Sequence, residues 1–241
     1  MPLPMPVSET RPSPVPAAGK GAAVQGLFGA IARRYDLANH LLSLGLDFWW
    51  RRCAARVVRE WQPAHVLDLA TGSGDLARAI SRMRPAAAVI GADFCLPMLR
   101  IARRKGISCL VQADGLHLPF AVATFDVVTI AFGLRNMESW EDGLAEMSRI
   151  LRPGGHVLIL DFSLPPAPLR WLYRFYLHRI LPLAAAWITG KRDAYEYLGA
   201  SIEQFPHGEE MNSRIAAAGF DDVRCQPLTG GIVSVYSGRR R

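Results

Sequence analysis

Four cysteines without a C-x-x-C pair, and no apolar run near the length of a spanning helix, set the first limits on this 241-residue chain. Cys53, Cys95, Cys109 and Cys225 lie far apart, with no histidine beside them at metal-ligand spacing. That pattern argues against a zinc site and against a disulfide framework, and it fits reduced thiols in a cytoplasmic protein. A bilayer needs about 18 or more consecutive apolar residues, which the sequence does not offer. Residues 1–23 are rich in Pro, Ala and Ser, have no signal-peptide core, and read as a disordered tail. Acidic residues are the scarcer charge, 21 Asp and Glu against 28 Lys and Arg, for a net charge of +7. A basic balance points to anionic partners only where the charges cluster. Here the arginines are scattered, residues 239–241 read as a short tail, and no RNA-binding module is visible, so nucleic acid is not expected.

What the chain does have is apolar residues, 50% of the total, enough for one substantial core. Short apolar runs recur at 65–69, 88–92, 108–112, 125–131 and 156–161, bounded by Gly, Asp or Pro. Helical spacing fills 76–83, 98–105 and 140–151 between them. Strands alternating with crossover-length helices predict an α/β fold: a doubly wound, mostly parallel sheet with helices on both faces. Arg152-Pro153-Gly154-Gly155 reads as the turn from the last of these helices into the fifth strand. Residues 24–61 form a helical cap before the first strand, and 165–205 a helical insertion after the fifth. A helix near 208–218 and runs at 223–226 and 232–236 close a single domain over 24–241, the last two as a hairpin.

The most informative segment is Asp68-Leu69-Ala70-Thr71-Gly72-Ser73-Gly74-Asp75, a strand end running through a glycine turn into a helix. Gly72 and Gly74 let the backbone approach a ligand, and Ser73 offers a hydroxyl. The turn also satisfies the dinucleotide pattern G-x-G-x-x-G/A, so glycines alone do not choose the ligand. Asp75 would put negative charge where a pyrophosphate sits on a helix N-terminus, and Asp68 adds a second carboxylate. A ligand carrying an ammonium and a sulfonium suits them better, although Asp75 alone is also a good helix N-terminal residue. Asp93 ends the second strand, where an acid can accept both ribose hydroxyls. Asp114 ends the third, beside Gly115, where it can meet an adenine amino group. Single strand-end acids are usually turn residues, but three on successive strands converge on one ligand.

From Phe28 onward the chain resembles the ubiquinone/menaquinone biosynthesis C-methyltransferase family. The resemblance is carried by Tyr35-Asp36-Leu37-Ala38-Asn39-His40-Leu41-Leu42-Ser43 with Trp50-Arg51, and by Phe132-Gly133-Leu134-Arg135-Asn136. It continues through Arg149-Ile150-Leu151-Arg152-Pro153-Gly154-Gly155, Tyr197-Leu198, Ser201-Ile202, Phe205-Pro206 and Thr229-Gly230-Gly231-Ile232. It implies the class I S-adenosylmethionine-dependent methyltransferase fold, with Ser73, Asp93, Asp114, Gly115 and Ala131 at the cofactor. Asp68, Gly72 and Gly74 complete the expected cofactor set. The chain departs from the family at Ala38, where Met is frequent, at Asp47, where His is frequent, and at Ala70, in place of the first glycine of the turn.

The resemblance further implies methyl transfer to a ring carbon of a polyprenylated quinol, in menaquinone or ubiquinone biosynthesis. Carbon is a poor nucleophile, so a ring hydroxyl must lose its proton to push electron density onto it. No metal is required. Arg135 is the candidate for polarising the ring oxygen, Asn136 for holding Arg135 or the ring, and Tyr35, with Asp36 and Asn39, for closing over the site. Each has a plainer role open to it: Arg135 in an ion pair with a helix carboxylate, Asn136 as the cap of the helix beginning near Ser139, Tyr35 in packing. A methyltransferase of soluble small molecules, a non-catalytic cofactor-binding scaffold in quinone biosynthesis and a dehydrogenase are the rival functions. Finally, 169–181 mixes aromatic residues with Arg170, Arg174 and Arg179. It reads either as a lid helix over the sheet or as an interfacial element on anionic lipid at the inner face of the cell membrane.

Overall fold

The computed structural model describes residues 43–181 and 192–241. The expected tail and the first part of the cap, with Tyr35, Asp36, Asn39 and His40, lie outside the described residues. The described elements run α1 (Leu46–Glu60), β1 (His65–Leu69), α2 (Asp75–Met83), β2 (Ala88–Asp93), α3 (Leu96–Arg104), β3 (Leu110–Gln112), β4 (Phe125–Ala131), α4 (Trp140–Ile150) and β5 (Leu151–Phe162). The chain then enters the insertion through α5 (Leu169–Phe175), which continues into a π-helical turn (Tyr176–Ile180), and α6 (Arg192–Gln204). It returns to the sheet through α7 (Glu209–Ala217), β6 (Phe220–Leu228) and β7 (Val233–Arg240).

These strands form one sheet of order β3-β2-β1-β4-β5-β7-β6. The first five are parallel, and β7 runs antiparallel to both β5 and β6. The central strands are apolar on both faces because helices cover both. Successive residues divide between the two sides. Leu67, Val128 and Ile159 pack with Leu144, Met147 and Ile150 of α4. Val66, Val127 and Leu158 pack with Trp50, Ala54 and Val58 of α1 and with Leu76 and Ile80 of α2. At the start of α4, the Ser139 hydroxyl accepts from the Asp142 amide at 3.1 Å, and Glu141 and Asp142 set negative charge in the first turn.

Two expectations change. Residues 152–155 are not a turn ahead of the fifth strand but a bulge inside it: Phe125 is paired with Leu151, and the register resumes at Val127 with His156. A Cβ at Gly155 would stand 2.9 Å from the carbonyl oxygens of both Arg152 and Asp126, so the bulge closes only on glycine. Residues 239–241 are not a free tail either. Arg239 and Arg240 belong to β7, and Arg241 Nε donates to Asp221 Oδ1 at 2.7 Å.

β1 lies between β2 and β4, so the chain leaves it in opposite directions. Ligands of open α/β sheets bind at such a switch point, outside the carboxyl ends of the strands.

Candidate functional site

The carboxyl end of β1 is held by its own acid. Asp68 is buried and accepts from the Thr71 hydroxyl at 2.7 Å, the Ala77 amide at 3.1 Å and the Thr129 hydroxyl at 2.7 Å. It therefore supports the turn from beneath rather than facing a ligand. Burial pushes its carboxyl up to about 6 in spite of these three donors. Asp75 also turns away from the crevice: the Lys105 ammonium on the α3 side lies 2.7 Å from its Oδ1 and 3.0 Å from Ser73 Oγ. With that charge answered inside the protein, Asp75 no longer separates a phosphate ligand from a cationic one, contrary to the sequence-based expectation.

Asp93, at the end of β2, closes the other wall. Its Oδ2 accepts from the Gly72 amide and its Oδ1 from the Cys95 amide, both at 2.8 Å. Each oxygen keeps a lone pair, so the carboxylate can still receive a pair of hydroxyls while it anchors the glycine turn. Burial raises its pKa, against the lowering pull of these amides. Gly74 sits at φ 84°, and a Cβ there would meet Ile107 at 2.9 Å; α2 and α3 approach this closely only because it is glycine. Asp114 follows β3 with its side chain 44% exposed, and its Oδ1 accepts from the Leu116 amide at 2.9 Å. Beside it, a Cβ on Gly115 would strike Met137 at 2.6 Å. Ala131, partly buried, ends β4. The crevice thus gathers Gly72, Asp93, Asp114, Gly115 and Ala131, with Asp68, Ser73 and Gly74 behind them. A partly exposed acid beyond Asp93 fits a nucleoside with ribose hydroxyls and an adenine amine, so the donor set suits S-adenosylmethionine.

Backbone strain marks the switch point. Ala70 has φ 49° and Phe132 φ 58°, left-handed values that non-glycine residues adopt at a cost. They stand at the ends of neighbouring strands, and a Cβ at Gly133 would lie 2.5 Å from the Ala70 methyl group. Ala70 is the position where the sequence departs from the usual glycine, which was the available signal for this strain.

Beyond β4 the site changes character. Arg135, in a 3-10 turn (Leu134–Asn136), is only 3% exposed. Its Nη1 donates to Asp161 Oδ1 at 2.7 Å and to the Phe132 carbonyl at 2.6 Å, and its guanidinium lies 5.2 Å from the Phe162 ring centre. Asn136 Nδ2 donates to the same Phe132 carbonyl at 3.2 Å, so Asn136 steadies the turn alongside Arg135. The ion pair is therefore with a strand acid, not with a helix carboxylate. Trp50, Phe132 and Phe162 pack their rings together above it, with centroids 4.8 to 6.1 Å apart. Trp50 Nε1 donates to Thr229 Oγ1 at 2.8 Å, tying the cap to the far end of the chain. Tyr173 of α5 is buried in the cluster that includes Phe162, and Arg135 acts electrostatically on its phenol.

Asp161, Phe132, Phe162 and Tyr173 were not among the candidate site residues read from the sequence. Asp161 carried a signal: it is an acid near the end of a strand, like Asp93 and Asp114. Among the described residues no group of three or more His, Cys, Asp or Glu could hold a metal ion, and all four cysteines are free.

Comparison with known proteins agrees with this fold. The model of the ubiE/COQ5 methyltransferase family matches residues 17–240. A demethylmenaquinone methyltransferase of Thermus thermophilus is 46% identical over 220 residues, covering 89% of this chain and 100% of that protein. The ubiquinone/menaquinone biosynthesis C-methyltransferase UbiE of Geobacter sulfurreducens is 40% identical over 230 residues, covering 92% and 90% of the two chains. Among solved structures, an S-adenosylmethionine-dependent methyltransferase of Thermotoga maritima, described as a possible histamine N-methyltransferase, superposes with a TM-score of 0.65 at 17% identity over 90% of this chain and 99% of that one. Human N-acetylserotonin methyltransferase in complex with S-adenosylmethionine gives 0.60 at 18% identity, over 89% of this chain and 59% of that one. The distant structures establish the class I methyltransferase fold. With the family match spanning nearly the whole sequence, the chain belongs to the ubiE/COQ5 methyltransferase family.

Proposed function

We infer that this protein is an S-adenosylmethionine-dependent methyltransferase acting on a ring carbon of a polyprenylated quinol, converting demethylmenaquinol to menaquinol. The observation that carries the reading is a buried arginine in an aromatic cluster, set one strand away from the cofactor crevice. It occurs in a chain nearly half identical to a demethylmenaquinone methyltransferase along that protein's whole length. The cofactor, when bound, supplies an electrophilic methyl group on a sulfonium. Asp93 would receive its ribose hydroxyls and Asp114 its adenine amine, while the Gly72 and Gly115 backbones allow close approach. Aromatic rings at the ends of β4 and β5 suit a flat naphthalene-type acceptor, and Arg135 offers positive charge to its oxygen as electron density moves to carbon. Tyr35 would join from the cap. Holding both molecules together supplies much of the acceleration, because they begin apart.

The enzyme would work in the cytoplasm at the inner face of the membrane, since the tail of its acceptor resides in lipid. No helix among the described residues is long and apolar enough to cross a bilayer. Features of the insertion support each of its sequence-based alternatives. Tyr173, Leu177 and Leu181, four apart, pack inward with Leu164 and Ile202 as a lid, while Trp171, Leu172 and Phe175 stay more than half exposed. These outward side chains, with Arg170 beside them, suit headgroup depth on anionic lipid. Arg174 is less available to lipid, because its Nε lies 2.9 Å from Glu203.

The test of the function is the lipid extract of a strain lacking this gene, profiled by mass spectrometry. Accumulation of a quinone lighter by one methyl group, reversed by the intact gene, is expected. An unchanged quinone profile contradicts the assignment.

A further inference from the structure

Removing a phenolic proton is the chemical requirement that Arg135 cannot meet by itself, since a guanidinium has no accessible basic form. Asp161 stands directly behind it. The carboxylate is fully buried near the end of β5, where its Oδ1 accepts from Arg135 Nη1 at 2.7 Å and from the Phe162 amide at 2.9 Å. Its other oxygen, Oδ2, is buried with no hydrogen-bond partner. Buried carboxylates ordinarily satisfy both oxygens, and one left bare at a functional site calls for an explanation. Asp68, fully buried two strands away, shows the ordinary arrangement, with donors on both oxygens.

We propose that Asp161 is the proton acceptor of the methyl-acceptor site, its Oδ2 taking the proton of the phenolic hydroxyl and leaving the phenolate paired with Arg135. The phenolic O–H bond breaks with its electron pair kept on oxygen, and a carboxyl O–H bond forms on Asp161. The total charge of the three groups is zero before and after: Arg135 exchanges a carboxylate partner for a phenolate partner. A shift that moves no net charge is what a low-dielectric site permits at least cost. Burial holds the Asp161 carboxyl above the usual carboxylate range, despite the opposing pull of the Arg135 guanidinium and of the Phe162 and Arg135 amides, which brings it nearer to a phenol. Tyr173, packed in the same cluster as Phe162, places the insertion over this strand end, so the acceptor enters by displacing that cover. The role rests on the proposed quinol reaction.

A buried ion pair with only a structural task would respond differently to acceptor acidity. For the Asp161→Asn variant, turnover of a short-tailed demethylmenaquinol should fall roughly 100-fold, with the affinity for S-adenosylmethionine unchanged. The deficit should shrink for a ring-halogenated acceptor, whose hydroxyl gives up its proton more readily. An equal deficit with both acceptors, or turnover within about twofold of wild type, overturns the role. Infrared difference spectra of the wild-type protein, recorded as a nitrated naphthol is added with S-adenosylhomocysteine bound, should show a protonated carboxyl band appearing. Its absence overturns the role even if Asp161→Asn does not fold. A wild-type protein that binds S-adenosylmethionine yet methylates no quinol overturns the proposed function itself, and this role with it.

Discussion

The two halves of the crevice are built on different principles. On the cofactor side, β1 to β3, buried carboxylates collect backbone amides and hydroxyls around the glycine turn: Thr71, Ala77 and Thr129 bind Asp68, and Gly72 and Cys95 bind Asp93. On the acceptor side, β4, β5 and the insertion, a buried ion pair and a cluster of rings stand in that place. Arg135 meets Asp161 across 26 residues, and Trp50 meets Thr229 across 179. The first half uses carboxylates to fix backbone. The second buries a charge among aromatic rings, which is costly unless the charge is paired, as Arg135 is with Asp161.

If the acceptor half depends on its buried pair, breaking that pair should give the largest effect. Arg135→Met leaves Asp161 buried without its cation, which should destabilise the fold by about 3–5 kcal/mol and lower turnover by on the order of 100-fold or more. Urea denaturation and steady-state assays of the variant measure both. A variant as stable as wild type would mean that the pair is not desolvated as described.

On the cofactor half, Asp93→Ala removes the ribose acceptor and the anchor of the Gly72 amide together. S-adenosylmethionine binding should weaken by roughly 2–4 kcal/mol in a protein that stays folded. Calorimetric titration is the check, and unchanged affinity would assign the ribose elsewhere.

A subtler contrast concerns Asp68, whose carboxyl is raised to about 6 by burial. A raised carboxyl favours the folded state when protonated. Its contribution is therefore complete below about pH 4 and is lost as pH rises through about 6, a change of about 3 kcal/mol. In Asp68→Asn the carboxamide oxygen can keep the Ala77 and Thr71 donors, the Thr129 hydroxyl can turn to accept, and this pH dependence should vanish. Denaturation of both proteins from about pH 4 to about pH 7 isolates the difference; parallel stability curves would show that Asp68 titrates normally.

The smallest effect is expected at the outer face of α5. Replacing Arg170 with Glu and Trp171 with Ser should weaken salt-sensitive binding to phosphatidylglycerol vesicles several-fold, by about 1 kcal/mol for each lost basic contact, with turnover of a soluble short-tailed acceptor unaffected. Sedimentation with vesicles reads it. Complete recovery of the wild-type protein in the supernatant at low salt leaves α5 a lid alone.

The same asymmetry governs how much could be read from sequence. β1 and β4 were delimited to the residue, because continuous apolar runs bounded by Gly and Asp leave little freedom. The glycine turn and the acids at 93 and 114 were visible because strand ends and turns are local patterns. The direction of Asp68 and Asp75 was not, since it depends on Thr129 from a neighbouring strand and on Lys105 beyond the next helix. Nor was the bulge at 152–155, which exists only in register with β4. Arg135 was found through a family motif, but its partner was not, because nothing local links residue 135 to residue 161.

The central claim, that the two halves join a nucleoside methyl donor to a quinol ring, is tested most directly with purified protein. S-adenosylmethionine carrying an isotopic label in its methyl group is supplied with a short-tailed demethylmenaquinol, and the product is fragmented by mass spectrometry. The account predicts label on a ring carbon, lost together with Arg135. Label on a ring oxygen, or no transfer from a protein shown to bind the cofactor, would contradict it.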